Sequence, residues 1–156
     1  MKAVVALGAN LENPREAVDL AIALLNAATE VKKVSSMYET EPVGGPEQDN
    51  YINAVCIIES DLAAIDLLAL LHGIEKSMGR VRIEKWGPRV IDLDLIQYGN
   101  ILSKSEELEL PHPRAFEIKF VLKHRNHFTC WLRLKEWVEV QAHRRKTNSP
   151  RAFFHL

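Results

Sequence analysis

The chain has 156 residues, of which 47% are hydrophobic, and these values fit one domain with a single core. Its formal net charge of −1 gives no reason to expect nucleic acid or another polyanion as a partner. No apolar run reaches the length needed to span a membrane, so we expect a cytoplasmic protein without a membrane partner.

The first half of the chain alternates between strand and helix patterns. A short apolar strand is predicted over 2–8, and Asn13 followed by Pro14 is typical of a helix start. Apolar residues at helical spacing then predict an amphipathic helix over 14–28. A strand over 30–40 follows, and after it comes a loop rich in proline and glycine.

The next part of the chain repeats this alternation. The sequence YINAVCIIES predicts another strand, and Asp61 stands in position to cap a second helix that ends near Gly79. A charged loop over 80–89 leads to a last apolar strand. The order β-α-β-β-α-β is typical of an α+β fold, a ferredoxin-like split β-α-β antiparallel sheet. We expect both helices on one face of this sheet and the active site on the other.

The last strand, within WGPRVIDLDLIQYG, carries two acidic residues on one face. With a period of two, Ile91, Leu93 and Leu95 point to one side of the strand. Asp92 and Asp94 then point to the other side, with Cα atoms about 7 Å apart. Two like charges at this separation repel each other unless water or a cation lies between them.

Cationic side chains precede this strand, and their spacing alone leaves two interpretations open. The segment GRVRIEKWGPR places several arginines and a lysine around Trp86. They could form exposed ion pairs of little energetic value. They could equally clamp phosphate oxygens while the two carboxylates hold Mg²⁺.

Two further groups of residues could contact a ligand. Tyr51 and Asn53 share one face of their strand, and an aromatic ring beside a carboxamide suits a flat heterocycle. A cross-strand aromatic contact with a turn-forming asparagine is the alternative. His112 stands between two prolines, which make its backbone stiff, although a lone surface histidine is also common.

Five motifs in the order of the chain, over about residues 3–122, resemble the 6-hydroxymethyl-7,8-dihydropterin pyrophosphokinase (2-amino-4-hydroxy-6-hydroxymethyldihydropteridine diphosphokinase) family of folate biosynthesis. They are ALGANL, SSMYETEPVGGPEQDNYINAV, IEKSMGRVR, WGPRVIDLDLIQYG and LPHPRA. The resemblance implies a transferase that moves the pyrophosphoryl group of ATP onto the hydroxymethyl oxygen of the pterin and releases AMP. We expect a monomer that acts on these small molecules.

The resemblance also implies a role for each candidate residue. Asp92 and Asp94 match the acidic pair that holds two Mg²⁺ ions along the triphosphate. The other matches are to catalytic, phosphate-handling arginines (Arg80, Arg82, Arg89), to pterin contacts (Thr40, Val43, Tyr51, Asn53, Trp86, Phe120) and to positions near the nucleotide (Glu75, Arg82, Trp86, Arg89, His112).

The C-terminal part of the chain departs from the family pattern. The family has a histidine where Phe116 stands and an arginine where Ile118 stands. Residues 1–122 carry 12 Lys or Arg against 19 Asp or Glu, a net charge of −7, whereas residues 123–156 carry 8 against 2, a net charge of +6. We therefore predict a pterin pyrophosphokinase-like domain over 1–122 and an atypical basic segment over 123–156.

Three explanations for this segment stay open. It could be a divergent closing element of the fold, a sequence without selected structure, or a basic module for an anionic partner. If a closing element is lost, the protein could be an inactive relative that binds pterin or nucleotide without turnover.

Overall fold

A computed structural model of the chain describes residues 1–42, 45–80, 87–113 and 115. The elements are β1 Lys2–Ala9, α1 Pro14–Ala28, β2 Glu30–Val34, β3 Tyr38–Thr40, β4 Tyr51–Glu59, α2 Ala64–Ser77, β5 Asp92–Tyr98, β6 Ser103–Lys104 and β7 Glu109–Leu110. Several residues and one segment named in the predictions lie outside the described residues: Val43, Arg82, Trp86, Phe116, Ile118, Phe120 and 123–156.

The main sheet has the strand order β2-β4-β1-β5, and every pair of neighbours is antiparallel. The short strand β3 pairs with β4 beyond the end of β2. The predicted α+β class, an antiparallel sheet with two helices, is confirmed. The strand β4 lies between β1 and β2, because the connection through α1 carries the chain past one strand position of the sheet.

The predicted single strand over 30–40 is wrong, because the chain forms two strands, β2 and β3. The interruption lies at Ser35, whose backbone N–H donates to Val55 O at 2.9 Å. The Ser35 hydroxyl, rather than a backbone carbonyl, accepts the Val55 N–H at 2.9 Å. A serine side chain that replaces a backbone acceptor in this way ends the regular ladder.

Both helices pack on one face of the sheet and form the core. Alternate residues of β1, β4 and β5 meet the apolar faces of α1 and α2 in one cluster. On β5 these are Leu93 and Leu95, each 2% exposed, with Ile91 just before the strand fully buried. The predicted division of this strand into an apolar face and an acidic face is therefore confirmed.

The helix starts follow the sequence signals only in part. Helix α1 begins at Pro14 after Asn13, as predicted, although the Asn13 side chain forms no capping hydrogen bond. The prediction that Asp61 caps α2 is wrong, since Ala63 is the N-cap residue. Ser60 Oγ accepts the Leu62 N–H at 3.2 Å, so a separate turn precedes the helix.

Gly79 follows the C-terminal end of α2 with φ +83°, which explains the glycine predicted there. No helix among the described residues is long and apolar enough to cross a membrane.

Candidate active site

A row of residues across three strands forms the floor of the site on the face opposite the helices. Gly8 of β1 lies directly opposite Asn53 of β4 on one side and opposite Asp92 of β5 on the other. Ala6 pairs in the same way with Asp94. Residues directly opposite each other share a face of the sheet, and neighbouring strands lie about 4.8 Å apart. The backbones of Asn53 and Asp92 are therefore about 10 Å apart.

Gly8 leaves the space that Asn53 and Tyr51 occupy above this floor. A Cβ atom at position 8 would lie 3.0 Å from Asn53 Oδ1 and 3.9 Å from Tyr51 Cδ1. The Asn53 side chain is held in place because its Nδ2 donates to Thr40 Oγ1 at 2.8 Å. The structure thus brings three of the predicted pterin contacts, Thr40, Tyr51 and Asn53, into one group.

Tyr51 spans the space between two loops. Its hydroxyl lies 3.0 Å from Gln48 Oε1 and 3.2 Å from Gly87 O, and both oxygens are acceptors. Burial raises the pKa of the Tyr51 hydroxyl, which therefore stays protonated and able to donate. The ring is fixed beside Gly8, with its polar end tied to the segment that precedes β5.

Both predicted carboxylates face away from the helices and remain partly exposed to solvent. Burial raises the pKa of Asp94, and the negative charge of Asp92 raises it further. His112, Arg80 and Arg89 act in the opposite direction but do not cancel this effect. The two carboxylates therefore repel each other in this structure, as their spacing predicts.

Asp92 belongs to a chain of alternating charges. Arg80 Nη1 bonds both to Glu75 Oε1 and to Asp92 Oδ1, while Arg89 Nη1 bonds to Asp92 Oδ2. The Arg80 side chain is only 10% exposed and that of Glu75 only 5%. Burial lowers the pKa of Arg89, but the neighbouring Asp92, Tyr51 and Asp94 raise it by more, so the guanidinium stays charged.

Glu75 lies under β5 rather than on the open face of the sheet. It is 4% exposed, and its Oε1 also accepts the backbone N–H of Leu93 at 2.7 Å. This carboxylate therefore joins α2 to the strand that carries the acidic pair, and it holds Arg80 at the edge of the site. Glu75 therefore has a structural function in addition to its predicted position near the nucleotide.

His112 follows β7, and its backbone is hydrogen-bonded to β5. Its backbone N–H donates to Ile96 O at 2.9 Å, two residues beyond Asp94. The imidazole is near enough to lower the pKa of Asp94. The predicted nucleotide residue therefore lies beside the acidic strand.

Sequence reasoning missed two residues of this region, Asn10 and Gln48, which connect the loops around Tyr51. Both stand inside motifs that carry the family resemblance, but a single amide side chain is common in loops and has no spacing that assigns it a role. The sequence signal that could have found Asn10 is its place directly after the glycine-containing strand β1.

Within the ranges that the structure describes, no three His, Cys, Asp or Glu side chains lie close enough together to hold a metal ion. Asp92 and Asp94 form a pair of oxygen donors, so a divalent ion here would need further oxygens from water or a substrate.

Comparisons with the sequences of known proteins identify relatives of this chain. The chain is 42% identical over 122 residues to the 2-amino-4-hydroxy-6-hydroxymethyldihydropteridine pyrophosphokinase of Bacillus subtilis. This match covers 77% of this chain and 73% of the relative. The proteins of the same name from Haemophilus influenzae and Pseudomonas aeruginosa are each 38% identical, over 122 and 120 residues. These matches cover 77% and 76% of this chain, and 76% and 74% of those relatives.

Residues 4–129 also match the sequence model of one enzyme family. Because this match spans most of the chain and the relatives above are about 40% identical to it, the chain belongs to the 7,8-dihydro-6-hydroxymethylpterin-pyrophosphokinase family.

Proposed function

We propose that this protein transfers pyrophosphate from ATP to 6-hydroxymethyl-7,8-dihydropterin in folate biosynthesis and releases AMP. The observation that carries the proposal is the row Asn53, Gly8 and Asp92 on three neighbouring strands, which brings a proposed pterin contact within about 10 Å of a proposed metal ligand. The names of the relatives favour this enzyme over a relative that binds without turnover.

The acidic pair fits Mg²⁺ by the chemistry of its donors. Asp92 and Asp94 offer carboxylate oxygens on one face of β5, and Mg²⁺ in nucleotide sites takes one or two carboxylates plus phosphate and water. A cation beside them would also relieve the repulsion that helps to raise the pKa of Asp94. Two such ions, as the family resemblance implies, would neutralise charge on the triphosphate and help to align it.

The arginines have a separate task in this reaction. Arg80 and Arg89 lie against Asp92, so both guanidinium groups can reach phosphate oxygens beside the acidic pair. The hydroxymethyl oxygen bonds to the β-phosphorus and loses its proton to water. The bond between the β-phosphorus and the oxygen that bridges it to the α-phosphorus breaks, and this oxygen leaves as part of AMP. A loose transition state of this kind needs in-line placement and charge stabilisation more than a strong base.

The pterin would lie next to Gly8, against the Asn53 and Tyr51 side chains that occupy the space above this glycine. The Tyr51 ring would contact one part of the heterocycle, and the Asn53 carboxamide would exchange hydrogen bonds with its amide-like edge. Val43, Trp86 and Phe120 are predicted to complete this contact, and Arg82 and His112 to contact the nucleotide. These five residues keep the roles that the family resemblance implies.

The test is the release of AMP from ATP by the full chain with Mg²⁺ and 6-hydroxymethyl-7,8-dihydropterin. We expect Asp94→Asn to reduce turnover by at least a hundredfold, since removing charge stabilisation has effects of this order. Asp19→Asn, the same change on the exposed side of α1, should leave turnover unchanged.

Absence of AMP release by the unaltered chain, or full turnover by Asp94→Asn, would contradict the proposal. Titration with a non-hydrolysable ATP analogue then separates an inactive binder from a protein that does not bind nucleotide. The cytoplasmic location, the monomeric state and the division of the chain into a domain over 1–122 and an atypical basic segment over 123–156 stay predictions.

A further inference from the structure

Asn10 is a buried amide at the point where β1 ends and two loops meet. It is 3% exposed, and its Nδ2 donates to Gln48 Oε1 at 2.9 Å and to Asp49 O at 3.1 Å. Its Oδ1 accepts the backbone N–H of Arg89 at 2.9 Å, and its own N–H donates to Arg89 O at 3.2 Å. One side chain therefore bonds to the loop before β4 and to the segment before β5.

Those two segments carry the two halves of the proposed site. The first leads into Tyr51, and the second contains Gly87 and Arg89. Tyr51 closes the same network, because its hydroxyl bonds to Gln48 Oε1 and to Gly87 O. We call the group formed by Asn10, Gln48, Tyr51, Gly87 and Arg89 the Asn10 clasp.

We infer that Asn10 is a positioning residue that sets the distance between the pterin contact Tyr51 and the phosphate contact Arg89. The inference rests on the proposed function for the identity of the two ligands. Asn10 itself lies under the loops and touches them, so it acts through the residues that it holds. Reactions that depend on placement can lose about a hundredfold in rate when a reacting group moves by about 1 Å.

The hydrogen bonds of the clasp explain why an amide is required at this position. Both Nδ2 bonds end on oxygen acceptors, whereas Oδ1 faces an N–H donor. Aspartate has the same shape, but it would place an oxygen against two acceptors and bury a charge. Alanine would remove all three side-chain bonds and leave the Arg89 N–H without this acceptor.

The first test compares Asn10→Ala and Asn10→Asp with Asn26→Ala. Asn26 Oδ1 accepts the Val31 N–H at 3.2 Å between α1 and β2, so its removal breaks a similar bond outside the site. All variants are assayed at a temperature at which circular dichroism shows them folded. We expect both Asn10 variants to lose about a hundredfold in kcat/KM, mostly in kcat, and Asn26→Ala to stay within about twofold of the unaltered chain.

The second test is a double-mutant cycle between Asn10→Ala and Tyr51→Phe. If Asn10 acts by holding Tyr51 through Gln48, the second substitution adds less than its separate effect. The combined loss in kcat/KM should then be at least fivefold smaller than the product of the two single losses. Losses that multiply would refute the coupling through the clasp.

A third readout does not depend on turnover. Amide hydrogen exchange at Arg89, measured by NMR without substrates, should become at least tenfold faster in Asn10→Ala and stay unchanged in Asn26→Ala. If the unaltered chain is inactive but exchange at Arg89 is faster in Asn10→Ala, the proposed function is refuted and the hydrogen bonds of the clasp are supported. An active chain whose Asn10 variants keep full kcat/KM would refute the positioning role alone.

Discussion

The buried ion pair between Glu75 and Arg80 allows a sharp test of how the site is supported. Glu75→Gln keeps the volume of the side chain and keeps an oxygen that can accept the Leu93 N–H, now 2.7 Å from Glu75 Oε1. It removes the negative charge opposite Arg80, whose side chain is 10% exposed. The perturbation is therefore electrostatic, with little change in packing.

The expected loss of stability follows from the partners that remain. Breaking a buried ion pair typically costs about 3–5 kcal/mol. Arg80 keeps its bond to Asp92, so its charge stays partly compensated and the ion-pair part of the loss falls to about 1 kcal/mol. The hydrogen bond to Leu93 becomes one between neutral groups, which is weaker by about 1 kcal/mol. We expect a total loss of about 2 kcal/mol, which lowers the midpoint of thermal unfolding by roughly 4–8 °C.

The assay is urea unfolding of the full chain, followed by far-UV circular dichroism. The m-value should not change, because the same surface is exposed on unfolding, so the loss appears as a lower midpoint concentration. Glu59→Gln is the matched control: Glu59 pairs with Lys2 at 3.8 Å and Lys32 at 3.3 Å, and its side chain is 37% exposed. Water screens these pairs, so its midpoint should not differ measurably from that of the unaltered chain. Equal midpoints for the two variants would refute the buried-pair argument.

Three further predictions address the floor of the site and the core. Gly8→Ala places a Cβ 3.0 Å from Asn53 Oδ1, so it should raise the Kd for the pterin roughly tenfold, measured by titration calorimetry. An unchanged Kd would mean that the amide moves aside freely. Thr40→Val removes the hydroxyl that accepts a hydrogen bond from Asn53 Nδ2 and should raise the same Kd roughly fivefold. Burial raises the pKa of Cys56 to about 12, so folding favours the protonated thiol and stability falls as the pH rises above 9.0. In urea unfolding, the free energy of unfolding of the unaltered chain should fall by up to about 1.4 kcal/mol per pH unit relative to that of Cys56→Ala. Parallel pH profiles of the two proteins would refute this prediction.

Much of the fold was predictable because its signals are local. Helix α1 has the bounds 14–28 that apolar spacing and Pro14 predict, and β5 buries the face that its alternation predicts. The α2 start was predicted wrongly because Asp61 has the right residue type but the wrong position. Ser60 instead forms a turn with Leu62, and no sequence pattern distinguishes the two uses of a polar side chain.

The candidate site was predictable only as a set of residue types. The sequence by itself determined that Asp92 and Asp94 share the face opposite the core, because alternation along one strand decides it. Only the tertiary structure decided that Gly8 lies between Asn53 and Asp92, since strand register joins residues 45 and 84 positions away from it.

The same distinction applies to the residues that hold the site together. Glu75 could be a surface acid of an amphipathic helix until α2 packs against β5 and buries it beside Leu93. Asn10 acquires its function only because two distant loops meet over the end of β1. Periodicity along the chain specifies which face a side chain occupies, whereas partners far apart in sequence are chosen by packing and strand pairing.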